Sequence, residues 1–327
     1  MRRLALLLVL VLATSARAEL ELRFLDVGQG DAILIREGGR AVLVDSGPSE
    51  KIVPALRELG VSELDLLIAT HNHDDHIGGM PALLRELHVR NYMDNGIAHP
   101  SAVYRRTLDT VRAVGTNYLR GAERTISLGA ARLLVLPVPA HRDQNNSSIG
   151  LVLEYGSFRA LLTGDAAQNE LHFWLTHARV PRVQVVKVSH HGAHDGTTRE
   201  WVSATQPKLA VISVGTPNSY RHPARATVRE WEASGARIRR TDQDGTVIVR
   251  ANRDGTFQES HLGRRGEPGL SAFETATQNT QSLFHSLTRD ASCCKLCQKG
   301  KACGNSCISA SYTCHQPAGC ACDVAQR

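Results

Sequence analysis

The chain has 327 residues, 42% of them hydrophobic and 21% charged, a globular composition that excludes a wholly disordered or low-complexity protein. Its formal net charge is +6, and setting aside Arg2, Arg3 and Arg17 leaves 35 basic against 32 acidic residues. That balance of +3 does not by itself argue for a nucleic-acid partner.

Residues 1–18 read as an export signal. Arg2 and Arg3 precede the apolar run 4–13, and Ala16-Arg17-Ala18 offers a small-x-small cleavage site. The run is too short to span a bilayer as a helix, and no other stretch approaches that length. The mature chain is therefore expected to have no transmembrane segment and to be exported, either periplasmic or secreted. From residue 20, short apolar runs alternate with helical patterns. Strands are expected over 20–26, 32–36, 41–45, 64–69, 132–136, 149–155, 159–163, 183–188, 209–214 and 246–250, where Val, Ile and Leu are bounded by Gly, Pro or Asp. Helices are expected over 51–59, 81–87, 102–113, 166–177 and 224–234, with Pro81 suited to a first turn and Gly60 and Gly235 to helix ends. Paired strands interrupted by helices argue for a layered α/β domain over 19–258. Residues 259–292, poor in apolar positions, read as a linker.

The remaining segment, 293–327, is a small cysteine-rich module. It holds every cysteine of the chain: Cys293, Cys294, Cys297, Cys303, Cys307, Cys314, Cys320 and Cys322. An even count confined to a short tail suits an oxidising compartment and four disulfides, which would staple a segment too small to build a core. Cys294-x-x-Cys297 with His315 leaves a metal-binding knuckle as the alternative.

The strongest chemical signal is Thr70-His71-Asn72-His73-Asp74-Asp75-His76-Ile77-Gly78-Gly79, directly after an expected buried strand. Loops at the C-terminal ends of strands are where ligand sites in α/β layers gather. Neutral imidazole and carboxylate are preferred ligands of zinc and similar divalent ions. His71 and His73 can point at one ion while Asp75 and His76 turn to a second. Three further strand ends carry ligand types: Leu161-Leu162-Thr163-Gly164-Asp165, whose carboxylate is placed to bridge two ions; Val188-Ser189-His190-His191-Gly192; and Asn218-Ser219-Tyr220-Arg221-His222-Pro223. Asp26-Val27-Gly28-Gln29-Gly30-Asp31 joins two strands through a glycine-permitted turn, and Asp45 ends the next strand. The pair Gly28-x-Gly30 lacks a third glycine and a following helix, so it is no dinucleotide fingerprint.

The strings THNHDDHIGG, LLTGD and VSHHG resemble the metallo-β-lactamase fold superfamily. With DVGQGDAILI, LVDSG and the late His-Pro they look most like the hydrolase domain of ComEC-type DNA-uptake proteins, over about residues 20–250. The resemblance implies an αββα sandwich with one or two divalent ions, zinc or manganese, along one edge. It implies His71, His73, Asp75, His76 and Asp165 as ligands, a further ligand at His190 or His191, and Asp45 and Asp31 as carboxylates that support them. Many superfamily members place another histidine before the strand leading into the Gly-Asp motif. This chain has Gln144-Asn145-Asn146-Ser147-Ser148 there, which makes Asn146 and the nearby His141 candidates for that role.

The implied chemistry is hydrolysis by a metal-activated water, with Asp75 orienting the nucleophile and His222 donating a hydrogen bond or proton to the departing group. The expected substrate is a phosphodiester, DNA first, helped by Arg221, Arg225 and Arg229 and by Arg237, Arg239 and Arg240. Another small phosphodiester, a β-lactam or a thioester is the alternative. In a different class, the protein is a surface-binding one with the cysteine-rich tail as its attachment module, the tail binding a surface or a partner.

Overall fold

The computed structural model describes residues 20–139 and 143–263, with the short stretches 295–297, 301–303, 306–309, 311 and 321–323. The leader 1–18, His141, and Cys293, Cys294, Cys314 and Cys320 lie outside these residues. The chain divides into two compact units, Met1–Leu270 and Ser271–Arg327.

The first unit is built on two sheets. The elements of its first half run β1 (Leu20–Phe24), β2 (Ile33–Glu37), β3 (Arg40–Val44), α1 (Ile52–Glu58), β4 (Glu63–Leu64), β5 (Leu66–Ile68), α2 (Asp74–Ile77), α3 (Met80–Glu86), β6 (His88–Val89), β7 (Asn91–Asp94), α4 (Ala102–Val114) and β8 (Asn117–Arg120). The second half runs β9 (Arg124–Leu128), β10 (Ala131–Val135), β11 (Leu151–Tyr155), β12 (Phe158–Leu162), α5 (Gln168–His177), β13 (Val185–Lys187), α6 (Arg199–Thr205), β14 (Leu209–Ile212), α7 (Arg225–Ala233), β15 (Arg237–Arg240), α8 (Thr241–Asp244), β16 (Val247–Ala251) and β17 (Phe257–His261). One sheet has the order β17-β16-β1-β2-β3-β5-β7-β8 and the other β15-β14-β13-β12-β11-β10-β9. In each, an antiparallel half gives way to a parallel half, at β3-β5 in the first and β12-β13 in the second.

The side-chain period of two explains the layering. Ile33 and Ile35 join Leu22 and Phe24, and Leu133, Leu151 and Leu153 of the other sheet, in the central core. Leu34 and Leu43 face the opposite way, onto Ile52, Leu56, Met80 and Tyr104 of α1, α3 and α4. The outer face of the second sheet is covered by Leu171, Trp174, Trp201 and Trp231 of α5, α6 and α7. Each such aliphatic side chain, fully buried, contributes about 1.5–3 kcal/mol. The result is the expected four layers, helix, sheet, sheet, helix. Local signals agree with it: Ser101 Oγ caps α4 by accepting from Tyr104 N at 3.1 Å, and Gly115 ends that helix at φ +74°.

The linker boundary needs correction. Residues 257–261 form β17, paired antiparallel with β16 from Val247–His261 to Ala251–Phe257. The first unit's sheet thus includes part of the segment expected as linker from 259. Its polar composition fits an edge strand, which is exposed on one side. In the second unit, β18 (Lys295–Cys297) pairs in parallel with β21 (Ala321–Asp323), and β19 (Lys301–Cys303) pairs antiparallel with β20 (Ser306–Ile308).

Candidate metal centre

Four parallel strands of the two sheets end where the chemistry gathers. Beyond β3 stands Asp45, beyond β5 Thr70 to His76, beyond β12 Asp165, and beyond β13 His190 and His191. Asp45, His190 and His191 hold left-handed backbones, φ +59°, +50° and +52°, conformations that cost energy in non-glycine residues and cluster at functional sites. Close approach explains two glycines: a Cβ on Gly30 would stand 2.1 Å from the Asp75 carbonyl, and one on Gly164 would meet Thr70 Oγ1 at 2.8 Å.

One donor set converges completely. The facing atoms of Asp75, His76, Asp165 and His191 lie within 4.8 Å of one another. His76 Nε2 stands 3.3 Å from Asp165 Oδ2, and His191 Nε2 stands 3.3 Å from both Asp165 Oδ2 and Asp75 Oδ2. The other nitrogen of each imidazole is already engaged: His76 Nδ1 donates to Asp45 Oδ2 at 2.8 Å and His191 Nδ1 to the Ser213 carbonyl at 2.9 Å. These outer partners keep a proton on each Nδ1, so that each Nε2, once deprotonated, presents its lone pair inward.

A second pair adjoins it. His71 Nε2 lies 3.0 Å from His73 Nδ1 and 3.9 Å from Asp165 Oδ2. Thr70 Oγ1 donates to Asp45 Oδ2 at 2.8 Å, so it accepts from His71 Nδ1 at 3.2 Å. Asp45 therefore orients His76 directly and His71 through Thr70. Two imidazole nitrogens so close, beside a carboxylate shared with the first set, suit a divalent cation by the chemistry of their donors. Asp75, His76, Asp165 and His191 would hold an ion, and His71 and His73 adjoin that set.

The electrostatics are those of a site made for positive charge. Burial alone would lower His76 and His191, but Asp165, with Asp45 and Asp75 about His76 and Asp31 about His191, raises both well above the usual imidazole range. Burial alone would raise Asp165, but His191, His76 and Lys187 hold it well below the carboxylate range. His71 is lowered by burial and by the charge of His76. Lys187 is fully buried and pairs with Asp31, stands 3.5 Å from Asp165, and donates to the Gly164 carbonyl at 2.8 Å.

Of the residues expected from sequence, His71, His73, Asp75, His76, Asp165, Asp45 and Asp31 are all brought together. Of the two candidates His190 and His191, His191 faces the carboxylates, whereas His190 Nδ1 donates to Asp195 Oδ1 at 2.9 Å and its Nε2 is 3.9 Å from Asp165. Asn146 turns away, its amide nitrogen donating to Asp143 Oδ1 and its oxygen accepting from Glu170 N. The neighbour Asn145 lines the cleft instead, together with Gln29, Pro48, His73, Asp75, Asp165, His190, His191, Tyr220 and His222. Its Nδ2 donates to His190 Nε2 at 3.4 Å, while its buried Oδ1 has no hydrogen-bond donor among the described residues. His141 is outside the described residues. Sequence reasoning missed Thr70, Asn145, Lys187 and Asp195 as partners. Lys187 alone carried a signal, a lysine inside the apolar run Val185-Val186-Lys187-Val188.

A family model described as the metallo-β-lactamase superfamily matches residues 25–216. The chain belongs to that superfamily. Among curated relatives it is 31% identical over 268 residues to ComE operon protein 3 of Bacillus subtilis, covering 73% of this chain and 34% of the relative. It is 29% identical to competence protein ComA of Neisseria gonorrhoeae, covering 70% and 32%. The chain thus spans about a third of the length of these curated relatives. Among solved structures, the metallo-β-lactamase fold protein YhfI of Bacillus subtilis aligns with a TM-score of 0.50 at 11% identity, covering 71% of this chain and all of that one. Fold, site and relatives make this a metallo-hydrolase of the superfamily with a candidate site for divalent cations.

Proposed function

We propose that the protein is an exported phosphodiesterase acting on DNA. The choice of substrate is supported by positive charge in the segment that carries the cleft residues Tyr220 and His222 and in the helix that follows it. Arg221, Arg225 and Arg229 are exposed, form no ion pair among the described residues, and follow or flank the cleft residues Tyr220 and His222. Such side chains neutralise phosphates. Arg237, Arg239 and Arg240 do not share this property: they pair with Glu259, with Glu259 and Asp244, and with Asp242. The name of one relative, competence protein ComA, supports the same reading.

Divalent ions, zinc or manganese, would supply a water of lowered pKa and stabilise charge at the attacked phosphorus. The chain's own groups set the geometry. Asp75, 3.3 Å from His191 Nε2, is placed to accept a proton from an attacking water. Burial and the neighbouring His190 lower His222, so at neutral pH it offers a neutral N–H to the departing oxygen rather than a full proton. The test is turnover of DNA, a small phosphodiester, a chromogenic lactam and a thioester by the metal-loaded protein. Cleavage of DNA in preference supports the reading, and preference for a lactam or thioester overturns it.

We assign the tail to attachment in an oxidising compartment. Its support is that Cys303 and Cys307 are disulfide-bonded, which also favours disulfides over a metal knuckle. Deleting 264–327, a cut placed after β17, should leave turnover intact and abolish retention at a surface. Loss of turnover would contradict a separate attachment role.

A further inference from the structure

Resting on the phosphodiester reading, we propose that Tyr220 and His222 form a stacking platform for an unpaired nucleobase, so that the enzyme selects strands whose bases are free. Tyr220 is 66% exposed, one of only a few large apolar side chains so placed among the described residues. It is nevertheless not a loose surface ring. It lies nearly parallel to His222, at 12° with centroids 5.8 Å apart, and both rings line the cleft that holds Asp75 and Asp165.

The loop that carries them is tied down from within. Asn218 Nδ2 donates to the carbonyls of Gly215 and His222, each at 2.9 Å, and Asn218 Oδ1 accepts from His222 N at 3.0 Å. Gly215 N donates to Gln29 Oε1 at 3.2 Å, and Ala224 N donates to the Gly192 carbonyl at 2.8 Å, joining the loop to the cleft wall and to the histidine turn. Arg221, between the two rings, holds a left-handed backbone at φ +61°. That conformation is costly for arginine and is sustained by these bonds.

From the platform an aromatic path leads inward. His222 meets His190 edge-on at 5.7 Å between centroids, and His190 Nε2 stands 3.9 Å from the Asp165 carboxylate. A flat base resting on Tyr220 would thus hold its strand at the cleft that contains Asp75 and Asp165. Stacking on a π-face is indifferent to base identity but requires a base out of its duplex.

The experiment measures binding without cleavage, using the full mature chain freed of metal by chelation. The probes are a single-stranded oligonucleotide carrying 2-aminopurine, the same sequence as a duplex, and an abasic strand of equal length. Tyr220→Ala should weaken binding of the base-bearing strand by about ten- to a hundredfold and remove the fluorescence quench that stacking causes. Tyr220→Phe should retain both. Duplex and abasic strand should bind the parent and Tyr220→Ala alike. Equal affinity of parent and Tyr220→Ala for the base-bearing strand, or no strand binding by the parent, would overturn the platform. Quenched binding with no hydrolysis after metal is restored would uphold the platform and defeat the phosphodiesterase reading instead.

Discussion

Asp45 Oδ2 accepts from both His76 Nδ1, at 2.8 Å, and Thr70 Oγ1, also at 2.8 Å, so one buried carboxylate sets the orientation of two imidazoles at once. Its Oδ1 accepts from Thr70 N at 2.7 Å and completes the clamp. Asp45→Asn keeps the size but replaces one accepting oxygen with an NH2 donor, so it cannot accept at both positions. Metal affinity should fall about 10–100-fold, the usual cost of losing such a supporting partner. Competition with a graded chelator checks it, and unchanged affinity would show that His76 is held by something else.

Metal uptake should release protons. His76 and His191 are raised well above 6.5 by the carboxylates around them, so both hold protons at pH 7 in the metal-free protein, yet they ligate only as neutral imidazoles. Affinity should therefore tighten as pH rises from 6 to 8. Calorimetry in buffers of different ionisation enthalpy measures the released protons, and a buffer-independent heat would contradict the charged histidines.

Lys187 stabilises the carboxylates it touches. Replacing it with methionine leaves Asp31 and Asp165 buried beside one fewer cation, and loss of one member of a buried ion pair costs about 3–5 kcal/mol. Urea unfolding of metal-free Lys187→Met should show a loss of that size, part of which bound metal restores. A loss below about 1 kcal/mol would mean that the pair carries little net stability.

Glu170 is raised well above its ordinary 4.5 by burial, although Ser148 N donates to it at 3.0 Å. A raised folded-state pKa means that its contribution is complete below about 4.5 and is lost as pH climbs through the folded value. Glu170→Gln removes that loss, so the variant should gain stability over the parent as pH rises. Thermal melting across pH 4–8 tests it, and parallel profiles for the two proteins would refute it.

Most of this architecture was legible because it rests on local signals. The strands of both sheet centres announce themselves as apolar runs such as Leu209-Ala210-Val211-Ile212, and α4 by the helical pattern over 102–113. The edges were not. The β8 strand Asn117-Tyr118-Leu119-Arg120, the β9 strand Arg124-Thr125-Ile126-Ser127-Leu128 and β17 carry polar side chains because they are exposed, and periodicity is weak in such strands. The ligands were legible because histidine and aspartate crowd at strand ends. Their partners were not, since the Thr70 hydroxyl, the Ser213 carbonyl and Asn145 acquire meaning only when distant strands meet. Distinguishing His191 from His190 needed their left-handed turn, φ +50° and +52°, and their different neighbours, Asp195 for one and Asp165 for the other.

Salt dependence separates the two arginine groups. Arg221→Ala and Arg225→Ala should each lower the slope of log affinity against log salt by about 1 for a DNA strand, the signature of a lost phosphate contact. Arg237→Ala should leave the slope unchanged, because Glu259 already neutralises that guanidinium. Equal effects from both groups would contradict the placement of the strand.

Hydrolysis of a phosphodiester is proposed at the cluster of His71, His73, Asp75, His76, Asp165 and His191. Its most direct test is cleavage of single- and double-stranded DNA by residues 19–327 with manganese or zinc, beside His73→Ala and Asp165→Ala. Cleavage should require metal and be lost in both variants. Metal-bound protein that leaves every strand intact, or variants that cleave as the parent does, would contradict it.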